Sequence, residues 1–160
     1  MVKINKKKSF LILIFVAIFI FLAFYSFKNN SSRNISIEQK ETVKYIKIGD
    51  KTIKVDVVST PELLEKGLSG RKDMKEDEGM LFVFKNSSKY SFWMKNMNFA
   101  IDMIWINESL NVVYIKKDAK PESFPEVFST NTDAKYVLEV MSGFSKKNNL
   151  KEGDSVKFLP

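Results

Sequence analysis

The chain has 160 residues, 28% charged and 13% aromatic, with a net charge of +7 and neither cysteine nor histidine. Without cysteine there are no disulfides, thiolate nucleophiles, thiolate metal sites or lipid-modified cysteine. Without histidine, Ser-His-Asp and Cys-His catalysis and the ordinary zinc sites of hydrolases are excluded, and proton transfer must use carboxylate, Lys, Tyr or water.

Phe10 to Phe27, FLILIFVAIFIFLAFYSF, carries no charge over eighteen residues. At a helical rise of about 1.5 Å per residue it spans roughly 27 Å, close to the ~30 Å hydrocarbon core of a bilayer. Lys3, Lys6, Lys7 and Lys8 precede it and only Lys28 follows closely. Cationic flanks stay on the cytoplasmic side, so this asymmetry predicts an N-terminus inside and the C-terminal bulk outside. The competing reading is a cleaved signal peptide, with a shorter apolar region of about 7–15 residues and small residues at the cut. Both Ala23-Phe24-Tyr25 and Phe24-Tyr25-Ser26 put an aromatic where a small side chain is needed. The expected organisation is a basic cytoplasmic flank (1–9), a transmembrane signal-anchor (10–27), a flexible linker (28–42) and an extracytoplasmic domain (43–160). The protein would then be a single-pass protein of the cell membrane, with the lipid bilayer as its partner through residues 10–27.

Beyond the apolar run the chain has 22 basic against 19 acidic residues, a net charge of +3. That is ordinary solubility charge, and it removes the main support for a nucleic-acid partner. Residues 28–42, KNNSSRNISIEQKET, are polar and lack hydrophobic periodicity, as a tether would. The following ~118 residues suit one domain with a real core.

Apolar and polar positions alternate in VKYIKIGDKTIKVDVV, which predicts strands at Val43–Ile48 and Ile53–Ser59 around a Gly49-Asp50 hairpin turn. Thr60, Pro61 and Glu62 open a short helix by capping, fixed φ and dipole complementarity, and Gly67 and Gly70 end it. Arg71 to Glu78 reads as a charged loop. GMLFVF (79–84), YSFWMKN (90–96), IDMIWIN (101–107), VVYIKK (112–117) and KYVLEVMSG (135–143) read as strands, several apolar on both faces as covered strands are. KNSSK (85–89), NESLN (107–111) and a longer loop around Pro121 and Pro125 separate them. Phe144 to Leu150 offers one helical turn, and GDSVKF (153–158) a closing strand. Seven or eight short strands and one or two short helices predict a mainly β, sandwich- or barrel-like domain.

The ordered segments GLSGRKDM (67–74), GMLFVF (79–84), FWMKNMNFAIDMIWI (92–106), YVLEVMSG (136–143) and GDSV (153–156) carry a resemblance. The chain resembles uncharacterised protein family 0127, also catalogued as domain of unknown function 192, over nearly all of residues 52–158. The resemblance implies a mainly β domain, often exported or membrane-tethered, and no established activity. Ser69 stands where the family often has Met. Met97-Asn98-Phe99-Ala100 replaces a Thr-(small/apolar)-Pro-Leu type turn before Asp102. The resemblance also points to Arg71, Trp93, Met94, Lys95, Asn96 and Asp102 as motif positions.

Residue chemistry points to the same block. Asp102 shares a strand face with Ile104 and Ile106, so it sits either at a wet strand end or buried with a partner such as Lys95 or Arg71. Its structural reading is an ion pair or turn cap; its functional reading is a polar cluster at a pocket mouth. Glu139 alternates with Val137 and Met141, and its structural reading is a hydrogen-bonded or edge-exposed carboxylate. An Asp102–Glu139 pair could act as acid and base on a glycosidic bond if the two approached. Phe92, Trp93 and Trp105 either stack on a ligand or fill the core. Met94, Met97 and Met103, with Met74, Met80 and Met141, are soft donors for copper(I), but no histidine joins them and Met is common core filler. Asp73, Asp77 and Glu78 lack calcium-loop spacing. No metal and no cofactor are expected.

The expected function is a membrane-anchored extracytoplasmic binding or accessory module for a small molecule, glycan or protein, more readily a binder than an enzyme. Its candidate site is Arg71, Trp93, Lys95, Asn96 and Asp102, with Glu139 and Met94 secondary. The rivals are a carboxylate-based hydrolase or lyase on an extracellular polymer and a protein-interaction module of a membrane complex.

Overall fold

A computed structural model describes residues 43–160. The predicted membrane segment at 10–27, its flank and its linker lie outside the described residues. Among the described residues, no helix is long and apolar enough to cross a membrane.

Strands β1 (Tyr45–Ile48) and β2 (Lys51–Val58) form the expected hairpin, with Gly49 at φ +56° in its turn. A two-residue hairpin loop needs positive φ, which glycine adopts without a Cβ penalty. Helix α1 (Pro61–Lys66) follows; the Thr60 hydroxyl accepts from the Leu63 N–H at 3.4 Å and the helix stops at Gly67. β3 (Glu78–Ser88) then runs parallel to β2, a pairing that requires such a crossover.

β4 (Ser91–Trp93), β5 (Ile101–Ile106), β6 (Val112–Ala119), β7 (Val127–Ser129) and β8 (Ala134–Met141) come next, then helix α2 (Phe144–Lys147) and β9 (Val156–Leu159). Seven strands make one sheet in the order β6-β5-β8-β3-β2-β1-β9, and β4 pairs with β7 alone. The edges of the large sheet meet at one end, where Asn111 bridges Ser155 and the Val112 N–H donates to the Asp154 carbonyl at 2.9 Å. The domain is therefore mainly β, a curled half-barrel with two short helices, and not a sandwich of two comparable sheets.

Three local expectations change. The predicted strand at 90–96 stops at Trp93, because Met94–Met97 closes a turn with Asn96 at φ +56°, a conformation Asn tolerates. β3 runs on through the predicted 85–89 loop, since Ser88 pairs with Ala134 beyond a bulge. The Pro121–Pro125 loop leads into β7, which at three residues is too short to show alternation.

The sheet buries both faces. Inside the curl lie Ile46, Ile53, Leu81, Ile104, Leu138 and Val140, among others. Outside it, Met80, Phe82, Met103, Trp105 and Val137 are covered by residues such as Leu68, Met74, Met94 and Phe128 from the loops and β7. This explains why β5 is buried at all six positions.

Candidate functional site

The site is built on the outer face of the central strands. Strand register aligns one lateral row there: Lys116 (β6), Met103 (β5), Glu139 (β8), Met80 (β3) and Asp56 (β2). Glu139 sits mid-row between two methionines and is only 5% exposed. Among the described residues, no hydrogen bond or ion pair reaches its carboxyl. Burial pushes the Glu139 carboxyl up to about 8, because the charged form loses its water and gains no partner.

A cavity of about 200 Å³ opens above this acid. One wall is Leu64 and the Gly67–Ser69 turn; Glu65 and Lys66 stand exposed on α1 at the mouth. The other wall is aromatic, made by Phe82, Phe84, Tyr90, Phe92 and Trp93, with Met97 beside them. Phe82 and Phe92 meet edge-to-face at 4.9 Å, Phe84 stacks on Tyr90 at 3.5 Å, and Phe92 meets the buried Trp105 at 5.7 Å. The Trp105 indole N–H donates to the Tyr90 carbonyl at 2.9 Å, fixing that wall to β5. Gly67, at φ +48°, closes over the acid: a Cβ there would stand 3.1 Å from the Phe82 ring and 4.0 Å from Glu139 Oε2.

Besides Glu139 on the floor, four of the other six sequence candidates lie in or next to the cavity wall. The Ser69 hydroxyl donates to the Lys95 carbonyl at 3.0 Å, the Gly70 N–H to the Asn96 carbonyl at 2.9 Å, and the Asn98 amide to the Arg71 carbonyl at 2.7 Å. These bonds stitch the 67–71 turn to the 95–98 turn. Arg71 reaches across to Asp56 on β2, Nη2 to Oδ2 2.5 Å, and so is committed to an ion pair. Trp93 is 49% exposed, packs edge-to-face on Phe124 at 6.1 Å, and carries the Lys95 ammonium 5.5 Å from its ring centre. Met94 is buried in the outer core.

Asp102 is elsewhere. It pairs laterally with Val140, whereas Glu139 pairs with Met103, so the two acids occupy opposite faces of the sheet. They cannot flank one bond as an acid–base pair. Asp102 is 1% exposed and pairs with neither Lys95 nor Arg71. It accepts instead from the backbone N–H groups of Asp118 (2.9 Å), Gly143 (3.3 Å) and Ser145 (2.8 Å). Gly143 has no side chain to cap α2, so Asp102 supplies that cap across the fold. These bonds tie β5 to the end of β6 and the start of α2.

A larger cavity, about 330 Å³, lies between β2 and α2. Its Glu76 and Lys147 bond to each other at 2.6 Å, and that hydrogen bond holds the Glu76 carboxyl below its usual range. Lys51 and Asp77 also line it.

Of the aromatic wall, the sequence pointed only to Phe92 and Trp93. The usable signal was the shared parity of Phe82 with Phe84 and of Tyr90 with Phe92.

A model of the DUF192 family, described as an uncharacterised ACR, matches residues 44–158. No curated protein matches. A protein of unknown function from Novosphingobium aromaticivorans DSM 12444 is similar in fold, with a TM-score of 0.69 and 22% identity over 72% of this chain and 85% of its own. A protein from Sinorhizobium meliloti 1021, described as a candidate transcription regulator, has a TM-score of 0.67 and 27% identity over 71% of this chain and 90% of its own.

Proposed function

The chain belongs to the DUF192 family, and from that premise we propose that it is a membrane-tethered binding module that takes a small molecule into the cavity above Glu139. The observation that carries this reading is an open, aromatic-walled cavity with a buried carboxyl on its floor that has no partner among the described residues. Burying a polar group without a partner costs stability, and an apolar residue would serve the core better. A ligand that satisfies the acid explains its presence. Arg71, Lys95 and Asn96 belong to the frame that holds the mouth, and Trp93 forms its lip.

The apolar run at 10–27 supports a bilayer tether, and the lysines ahead of it support an extracytoplasmic domain. The test uses the full chain in lipid nanodiscs, titrated with a small neutral aromatic such as benzyl alcohol and followed by backbone amide shifts. Saturable shifts centred on Gly67–Ser69 and Tyr90–Trp93 are expected. Unmoved resonances at millimolar probe would count against the reading.

A second reading has its own observation. Trp93, Phe124 and Val127 are 49%, 44% and 54% exposed, and Val127 pairs with Trp93 across β4 and β7. A protein partner would cover this apolar lip. Phe124→Asp separates the two readings: it should abolish capture of such a partner and leave the probe-induced shifts at Gly67 intact.

A further inference from the structure

We infer that the ligand of this cavity is a small organic cation, an ammonium group on a compact apolar body, seated with its charge against the Glu139 carboxylate. This rests on the binding reading above and specifies the ligand's chemistry.

Three features point to a cation. The first is the acid itself, nine-tenths buried, aimed into the cavity and without a partner among the described residues. The second is the wall. Aromatic faces carry negative potential and attract ammonium groups within about 6 Å of the ring centre. The protein already uses rings of this side in that way: Lys95 lies 5.5 Å from the Trp93 centroid, and Lys116 lies 4.3 Å from the Phe128 centroid. The third is the absence, among the described residues, of an internal cation to neutralise Glu139. Lys116 lies two strands away, about 10 Å at ordinary strand spacing, over Phe128. Arg71 is spent on Asp56 in the opposite direction along the row. Lys66 is exposed at the mouth beside Glu65, and the Tyr90 hydroxyl donates to the Asn86 carbonyl at 2.7 Å.

The size fits a small guest. About 200 Å³ is below the roughly 300–1,000 Å³ of sites for drug-sized ligands. One aromatic ring bearing an aminomethyl group is of the right order.

The acid holds its proton near neutrality, so a cation must displace it. Binding then releases a proton to solvent, and affinity rises with pH until the empty site is itself ionised near pH 8.

Benzylamine and benzyl alcohol, near-isosteres that differ in charge, test this in nanodisc-held full chain. Benzylamine is expected to bind at least about tenfold tighter at around pH 8, with the preference shrinking at around pH 6. Glu139→Gln should erase the preference and its pH dependence while benzyl alcohol still shifts the Gly67 and Phe92 amides. Equal affinities in the parent chain, or a preference that survives Glu139→Gln, overturn the cation and leave the pocket standing. If neither probe moves those amides, both the cation and the binding reading fail. Should Glu139→Gln fold poorly, the comparison in the parent chain decides: benzylamine binding no tighter than benzyl alcohol at around pH 8 overturns the inference.

Discussion

One sheet separates two cores of different character. The inner core is built from Ile, Val and Leu with one buried aromatic, Phe144, has Tyr136 and Phe158 packed against it, and contains no methionine. The outer core holds Met74, Met80, Met94 and Met103 with Phe82, Trp105 and Phe128, and Met97 and Met141 pack against it. Every methionine among the described residues is therefore on the side that carries the cavity. β-Branched side chains have few rotamers and define a shape; Met is unbranched and adapts to one. The inner face thus serves as a rigid scaffold. The outer face tolerates irregular space, a positive-φ glycine over an aromatic wall and an acid with no partner among the described residues.

That contrast can be broken by mutation. Leu138 is fully buried in the inner core, and Leu138→Ala should cost about 2–5 kcal/mol of unfolding free energy, read from urea titration. A loss under about 1 kcal/mol would mean that the inner core relaxes as readily as the outer one.

Next in size is a pH effect confined to the outer face. Glu139 ionises near pH 8 when folded, against 4.5 for the unperturbed group. Between these values the unfolded chain loses the proton while the native chain keeps it, so stability falls as pH rises through that window. The favourable term is full below pH 4.5 and gone above about 8. It amounts to a few kcal/mol at most. Glu139→Gln should flatten this slope and stabilise the protein most at the alkaline end. An unchanged slope would assign the pH dependence to other groups.

The smallest effect sharpens the comparison. Met103 neighbours Glu139 in the lateral row, and Met103→Leu should cost less than about 1.5 kcal/mol because volume is kept. A loss as large as that of Leu138→Ala would show that the methionine face is packed as tightly as its opposite.

Asp102 and Glu139 show how far residue patterns carried. Both stood out as acids alternating with apolar neighbours, and both are buried. Their surroundings were not legible. The three N–H groups that satisfy Asp102 come from residues 16 to 43 positions further along the chain, delivered by the ends of β6 and β8 and the start of α2. Glu139 is not at an edge, because β8 was inserted between β5 and β3, and among the described residues its carboxyl has no hydrogen-bond partner.

Alternation, turn glycines and the Thr60-Pro61 cap determined the strands, the hairpin and α1, since these depend on neighbours a few residues apart. Ladder register, the curl of the sheet and the wall raised over Glu139 were decided only in the folded domain. They arise from pairings between distant segments, and a one-residue slip would turn Glu139 to the opposite face.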